Sequence, residues 1–142
     1  FMVVLPKTEE LKNVARTILH EKAHVTPSHD LKTIIWLDKD NSIRWVVGYN
    51  AWIGRTAQIH VASMGGSKYL PREFTASVFD YVFNVHDVDI VFGVVNSLNE
   101  LAMKMDLRLG FKEKQRWQGM HDDGGDLVLL EMHKDDCRWL RK

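Results

Sequence analysis

Residues 89–111 read DIVFGVVNSLNELAMKMDLRLGF, and this stretch organises the rest of the chain. Asp89 to Val95 is a near-continuous apolar run, as in a strand covered on both faces. Asn96 follows. Leu98 to Leu109 then repeats Leu101, Met105 and Leu109 on one side, which predicts a helix. Gly110 suits the left-handed position that ends a helix, and apolar Phe111 follows it. A buried strand feeding a helix is half of a parallel α/β unit.

Upstream, Pro71 opens a second helical stripe of Phe74, Val78, Phe79, Val82 and Phe83 that ends near His86. Before it stands a predicted strand, Thr56 to Met64 (TAQIHVASM). Strand and helix therefore alternate through the middle of the chain, so these strands are expected to run parallel. Further upstream, Lys32 to Leu37 and Ile43 to Tyr49 form a hairpin around DKDNS, with the second strand extending toward Trp52 and Ile53. A first helix covers Thr8 to about His24, with Thr8 as its cap and Glu9 and Glu10 in its first turn. Downstream, Glu113 to Met120 and Leu127 to Met132 flank the turn HDDGGD and make a final hairpin. The expected fold is a single α/β domain over residues 1–142, a central mixed sheet with helices on both faces.

The composition narrows the function. The 142 residues carry 19 basic and 19 acidic side chains, which excludes the basic excess of a nucleic-acid binder. No apolar run reaches the ~20 residues of a membrane helix. One cysteine, Cys137, cannot form an internal disulfide, so a cytoplasmic setting is expected. His20 and His24 lie four apart, but no third ligand accompanies them, so no metal is expected.

The segment Met64-Gly65-Gly66-Ser67-Lys68-Tyr69-Leu70-Pro71 joins a strand to a helix. Glycines let the backbone approach a ligand, and a helix N-terminus offers unpaired N–H groups and a positive dipole end. Lys68 and Arg72 add charge that suits a pyrophosphate. An ordinary two-glycine loop has the same composition. The spacing fits neither GxxxxGK[ST] nor GxGxxG.

Taken together, the strand, the Asn-containing turn with Asn96 and Asn99, the helix with Ala102, and the closing Leu109-Gly110-Phe111 resemble the GNAT (Gcn5-related) N-acetyltransferase family. The order of elements is similar along nearly the whole chain. Residues VFDYVF and the CRWL ending resemble bacteriophage-encoded members. The resemblance implies acetyl-CoA as acyl donor and a small-molecule or peptide amine as acceptor. It also implies that the strands at 56–64 and 89–95 splay into a V that holds the pantetheine arm. Val61, Ala62 and Met64 would then pair with pantetheine. Gly65, Gly66, Ser67, Lys68 and Tyr69 would meet the pyrophosphate, helped by Arg72, with Asn99 and Ala102 on the opposing helix. Neither nucleic acid nor membrane is implied as a partner, and a homodimer is compatible. Two positions depart from the family pattern. Lys68 and Tyr69 replace the later glycine of the phosphate loop, and Asp106 stands where the family places a general-acid tyrosine.

Direct acyl transfer needs an amine that loses a proton, an N–H for the oxyanion and a proton for the thiolate. His60 is the candidate base, or else a half-buried strand histidine. An N–H near Val61 or Ala62 is the candidate oxyanion donor. Asn96 is a candidate water holder or a helix cap, and Ser63 a candidate thiolate donor or a strand-end residue. Asp106 reads as a solvated helix residue unless burial raises its pKa. Trp36, Trp45 and Trp52 are candidates for an acceptor pocket or for core packing. Two competing functions remain at this stage: a GNAT-fold protein that does not catalyse, with a structural or host-interaction role, and a small nucleotide-binding protein without acyl transfer.

Overall fold

The computed structural model describes residues 1–66 and 68–140. The elements are β1 (Met2–Val4), α1 (Glu9–Ala23), β2 (Lys32–Leu37), β3 (Ile43–Ile53), β4 (Thr56–Ser63), α2 (Arg72–Asp80), β5 (Ile90–Asn96), α3 (Glu100–Leu109), β6 (Lys112–Trp117) and β7 (Leu127–His133). They form one seven-stranded mixed sheet in the order β1-β2-β3-β4-β5-β7-β6. The sheet is antiparallel except between β4 and β5, the pair joined through α2.

Each helix forms for a local reason. Thr8 Oγ1 accepts the N–H of Leu11, and Glu9 and Glu10 occupy the first turn of α1. That helix ends at His24 in the left-handed conformation, rather than running through it. Asn99 Oδ1 accepts the N–H of Ala102 and caps α3, and Gly110 ends it at φ 114°.

Two apolar layers flank the sheet. On one face Ala15, Ile18 and Leu19 of α1 cover Ile35, Val46 and Ala62. On the other, Phe74, Val78, Phe79 and Phe83 cover Val47, Tyr49, Ala57 and Val91, joined by Leu109 and Phe111. The helices thus lie on both faces, as expected. Gly48 keeps α1 close to the sheet, since a Cβ there would stand 2.5 Å from Leu19 Cδ1.

Three features differ from the sequence reading. A short strand, β1, precedes the first helix and pairs with β2. The stripe after Pro71 is not one α-helix: α2 ends at Asp80 and a π-helical turn, Tyr81–Val85, continues it. That turn sets Tyr81 against Tyr49 at 5.4 Å and against His86 at 4.6 Å between ring centroids. Strand β5 is not covered on both faces along its length, because Val94 is 43% exposed. Its apolar second half borders an opening in the sheet instead. Of the two readings of the tryptophans, core packing holds for Trp36 and Trp45, which pack with Phe74 in the larger layer. Trp52 is anchored by donating its indole N–H to Asp30 O at 2.8 Å. Among the described residues, no tryptophan lines the candidate site.

Candidate active site

Strands β4 and β5 pair only over Thr56–Gln58 with Ile90–Phe92. Beyond that, β4 continues to Ser63 beside β3, and β5 continues to Asn96 beside β7. The two strands therefore separate in the middle of the sheet. Backbone groups on their facing edges lose the partner that a continuous ladder supplies.

The edge that faces the split follows from the register. Met64 N–H bonds to Arg44 O, and Val46↔Ala62 and Gly48↔His60 lie in the same register. In an antiparallel strand, alternate residues turn their N–H and C=O to opposite sides. Even-numbered residues of β4 thus face β3, and Ile59, Val61 and Ser63 face the split. Val61, rather than Ala62, directs its N–H into the opening. Ala62 is buried against α1 instead.

A cavity of about 390 Å³ occupies the split and is lined from both faces of the sheet. From the α1 side come Lys22, Ala23, His24 and His60. From the other side come Leu70, Val78, Phe79, Ala102, Met105, Asp106 and Leu109. Ile59, Val61, Gly93, Val95, Asn96 and Asn99 line its walls, with His121 and Leu127 from the final hairpin. Lys22 and His121 were not singled out in the sequence, and His24 was weighed there only with His20 as a metal-ligand spacing. No motif marks them, because each is brought in by the end of a helix or by a turn.

His60 donates from Nε2 to Asn50 Oδ1 at 2.8 Å. This leaves Nδ1 with its lone pair. Burial lowers the imidazole pKa to about 4, so the ring is neutral near neutral pH. Asp106 is a second, partly buried titratable group in the cavity, and it is not a solvated helix residue. Burial raises its pKa to about 7. The helical stripe explains why. Ala102, Asp106 and Leu109 line the cavity, whereas Leu101, expected on the packed side, is 68% exposed.

The remaining candidates are placed as follows. Asn96 donates Nδ2–H to Asp123 Oδ2 at 2.6 Å and accepts Leu98 N–H at Oδ1, which ties the end of β5 to the final hairpin. Ser63 Oγ accepts the N–H of Gly65 at 3.1 Å, and Ser63 does not line the cavity. Gly65 and Gly66 hold φ of 98° and 95°, with open space where a Cβ would stand. Their role is backbone conformation, which side chains at those angles would strain. Met64 is exposed at the start of this loop. Tyr69 carries the Arg108 guanidinium 4.2 Å from its ring centroid, which links the loop to α3. Arg72 turns away from the cavity into a hollow shared with Arg138 and Trp139. Lys68 is exposed beside the loop. Ser67 lies outside the described residues.

Among the described residues there is no group of three or more His, Cys, Asp or Glu arranged to hold a metal. His20 Nδ1 lies 3.1 Å from Val25 O at the end of α1. Cys137 is buried within the larger apolar layer. No helix among the described residues is long and apolar enough to cross a membrane.

No protein-family model matches this sequence, and no curated protein matches it. Solved structures do. A chimera of the Vibrio cholerae spermidine N-acetyltransferase SpeG and hSSAT superposes with a TM-score of 0.73 at 15% identity, covering 95% of this chain and 98% of its own. The Vibrio cholerae spermidine N-acetyltransferase in complex with CoA and spermine gives 0.70 at 13% identity, covering 95% and 96%. A spermidine/spermine N-acetyltransferase SpeG from Vibrio cholerae with manganese ions also gives 0.70 at 13% identity, covering 93% and 91%. Nothing in these neighbours supports the phage-like resemblance. At such identities the likeness concerns the fold, and this chain has the GNAT fold of these N-acetyltransferases.

Proposed function

We propose that this chain is an N-acetyltransferase that moves the acetyl group of acetyl-CoA onto a primary amine by direct attack, without a covalent enzyme intermediate. The observation that carries this reading is the cavity that opens the sheet between β4 and β5 and is lined from both faces. Such an opening lets two reactants meet from opposite sides with no wall between them. The similarity to an N-acetyltransferase solved with CoA and spermine supports the choice of thioester and amine.

In this reading the thioester enters from the side of α2 and α3. Its pyrophosphate lies on the backbone of Gly65 and Gly66 and beside Lys68 and Tyr69, with Lys68 contributing charge. Pantetheine runs along the free edge of β4, between Val61 and Asn99 and Ala102. Val61 N–H, turned into the split, receives the oxyanion. A preorganised donor of this kind contributes about 2.7–4 kcal/mol to the barrier.

The amine arrives from the α1 side, where His60 lines the cavity. His60 is neutral and accepts at Nδ1. Its low basicity fits removal of a proton after the C–N bond has formed, when the nitrogen has become acidic. Asn96 holds the end of β5 against the final hairpin through Asp123. The acceptor is a small molecule or a peptide amine that reaches this side of the split.

Thermal unfolding with and without millimolar acetyl-CoA tests the reading, with ATP as control. Ligand at 100 times its dissociation constant adds about 2.7 kcal/mol to stability. A rise in melting temperature with acetyl-CoA and none with ATP is expected. Equal protection by ATP would favour a general nucleotide binder, and no protection by either would favour a non-catalytic role for the fold.

A further inference from the structure

A second hollow lies beside the loop that follows β4. Leu70, Arg72, Arg138 and Trp139 line a space of about 270 Å³, and Leu70 also lines the cavity in the split. The hollow widens along the flank of α2, past Ala76 and Ser77. Side-chain contacts fix its C-terminal wall against α3. Trp139 donates its indole N–H to Leu109 O at 2.8 Å. Arg138 donates from Nη2 to Arg108 O, and its guanidinium stands 4.6 Å from the Trp139 ring centroid. A Cβ at Gly110 would stand 3.3 Å from Arg138 Nη1, so glycine leaves room for that guanidinium. Arg108 in turn lies over Tyr69 of the loop. An arginine held by such contacts gives up little freedom when it meets an anion.

The arginines gathered here lack counter-charges. Arg16, Arg44, Arg55 and Arg116 each pair with a carboxylate. Arg72, Arg108 and Arg138 pair with none among the described residues, and the Arg72 guanidinium makes no hydrogen bond with them. Glu73 and Asp80 line only the wider part of the hollow, and Asp80 is engaged by Asn84. Arg138 uses one N–H on Arg108 O and keeps its other donors for a ligand. In a chain of zero net charge, these side chains and Lys68 concentrate positive charge around one loop.

We propose that this hollow selects the phosphorylated ribose of CoA, with the Arg72 and Arg138 guanidiniums taking the 3′-phosphate and the Arg138–Trp139 pair bordering the adenine. The inference rests on the acetyl-CoA reading above. With pantetheine in the split and the pyrophosphate on the loop, the nucleoside end leaves the loop on the side away from the cavity, where the hollow begins. A phosphate monoester offers oxygens to which guanidinium forks bind in pairs. ATP carries no phosphate at that position of the ribose.

Calorimetric titration with CoA and with dephospho-CoA, which lacks only that phosphate, tests the assignment in the wild type, Arg72→Gln and Arg138→Gln. The wild type is expected to bind CoA about 10-fold or more tightly than dephospho-CoA, the worth of one charge-assisted contact. It should also bind adenosine 3′,5′-bisphosphate more tightly than AMP. Each substitution should weaken CoA and leave dephospho-CoA as it was, so the ratio falls toward one. Kinetics should follow: KM rises for acetyl-CoA in the variants and not for acetyl-dephospho-CoA. Arg16→Gln removes the same charge from α1, on the opposite face of the sheet, and should leave the ratio unchanged. Arg72 has no side-chain partner to lose among the described residues, so its variant keeps the fold, which thermal unfolding checks. Equal wild-type affinity for CoA and dephospho-CoA would overturn the site and leave the acetyl-transfer reading standing. So would a preference that survives both substitutions, or a parallel weakening of both ligands. Binding of neither ligand by the wild type would overturn the acetyl-CoA reading as well.

Discussion

Replacing Gly93 with leucine is expected to abolish acetyl-CoA binding while the fold survives. Gly93 lies on β5 just past the last residue paired with β4, where the sheet opens. A Cβ there would meet Ile59 O at 3.7 Å and Ile59 Cγ2 at 3.9 Å, both ordinary contacts. The first carbon therefore fits, and Gly93 lines the cavity, so a larger side chain competes for its space. A leucine side chain would occupy the narrow end of the split, across from the free edge of β4 along which pantetheine is proposed to run. Affinity for acetyl-CoA should fall about 100-fold or more, a loss of about 2.7 kcal/mol. Stability should hold or improve, because glycine inside a strand costs roughly 0.5–1 kcal/mol relative to alanine. Calorimetric titration and thermal unfolding on the same sample would separate the two effects. Undiminished affinity in a folded Gly93→Leu protein would place the ligand elsewhere.

The second large effect concerns the pH dependence of stability. Burial lowers the His60 imidazole from the usual 6.5 to about 4 in the folded protein. Between those values the unfolded chain binds the extra proton, so stability rises with pH there and is fully present above 6.5. Asp106 has the opposite sign. Its pKa moves from 3.8 to about 7, so the unfolded chain ionises first and stability falls with pH over that window. The shifts correspond to upper limits of roughly 3 and 4 kcal/mol respectively. In the wild type the two slopes largely cancel between pH 4 and 6.5. His60→Gln should expose the Asp106 slope, giving a protein that weakens as pH rises from 4 to 7. Asp106→Asn should expose the His60 slope, giving a protein that strengthens from pH 4 to 6.5. It should also be more stable than the wild type at pH 8, where the wild type carries a buried, unpaired carboxylate. Urea unfolding across this range measures both slopes, and parallel curves for the two variants would contradict these burial assignments.

The fold was legible where a residue pattern has one local cause. The apolar run at residues 89–95, the Asn99 cap and the Gly110 stop set up the strand–helix unit, and the structure contains it. The Gly65-Gly66 loop was visible because positive φ selects glycine. Other features depend on what lies across the sheet. Strand β1 is three residues long and exists through its pairing with β2, so no periodicity announces it. The π-helical turn after α2 keeps the apolar spacing of a helix, and its altered hydrogen bonding leaves no trace in composition.

The candidate site shows the same division. Val61, Asn96 and Asn99 were picked out from the strands and turns that carry them, whereas Gly93 enters only through the point where β4 and β5 part. The choice between Val61 and Ala62 needed the β3–β4 register, because alternate residues of one strand face different neighbours. Asp106 illustrates the limit most clearly. A lone aspartate in an amphipathic helix is most simply solvated, and only the placement of α3 over the split shows that it faces the cavity. Lys22 and His24 reach the site because α1 stops beside it.

The central claim is that two reactants meet through the sheet and exchange an acetyl group. The most direct measurement is amine-dependent release of free thiol from acetyl-CoA, followed with a thiol-reactive dye across a panel of primary amines that includes spermidine, amino acids and short peptides. The account predicts release above the amine-free rate with at least one amine, matched by acetylated product and lost in Gly93→Leu. Binding of acetyl-CoA with no amine-dependent release across the panel would contradict it and leave a GNAT fold that holds the cofactor without transferring its acetyl group.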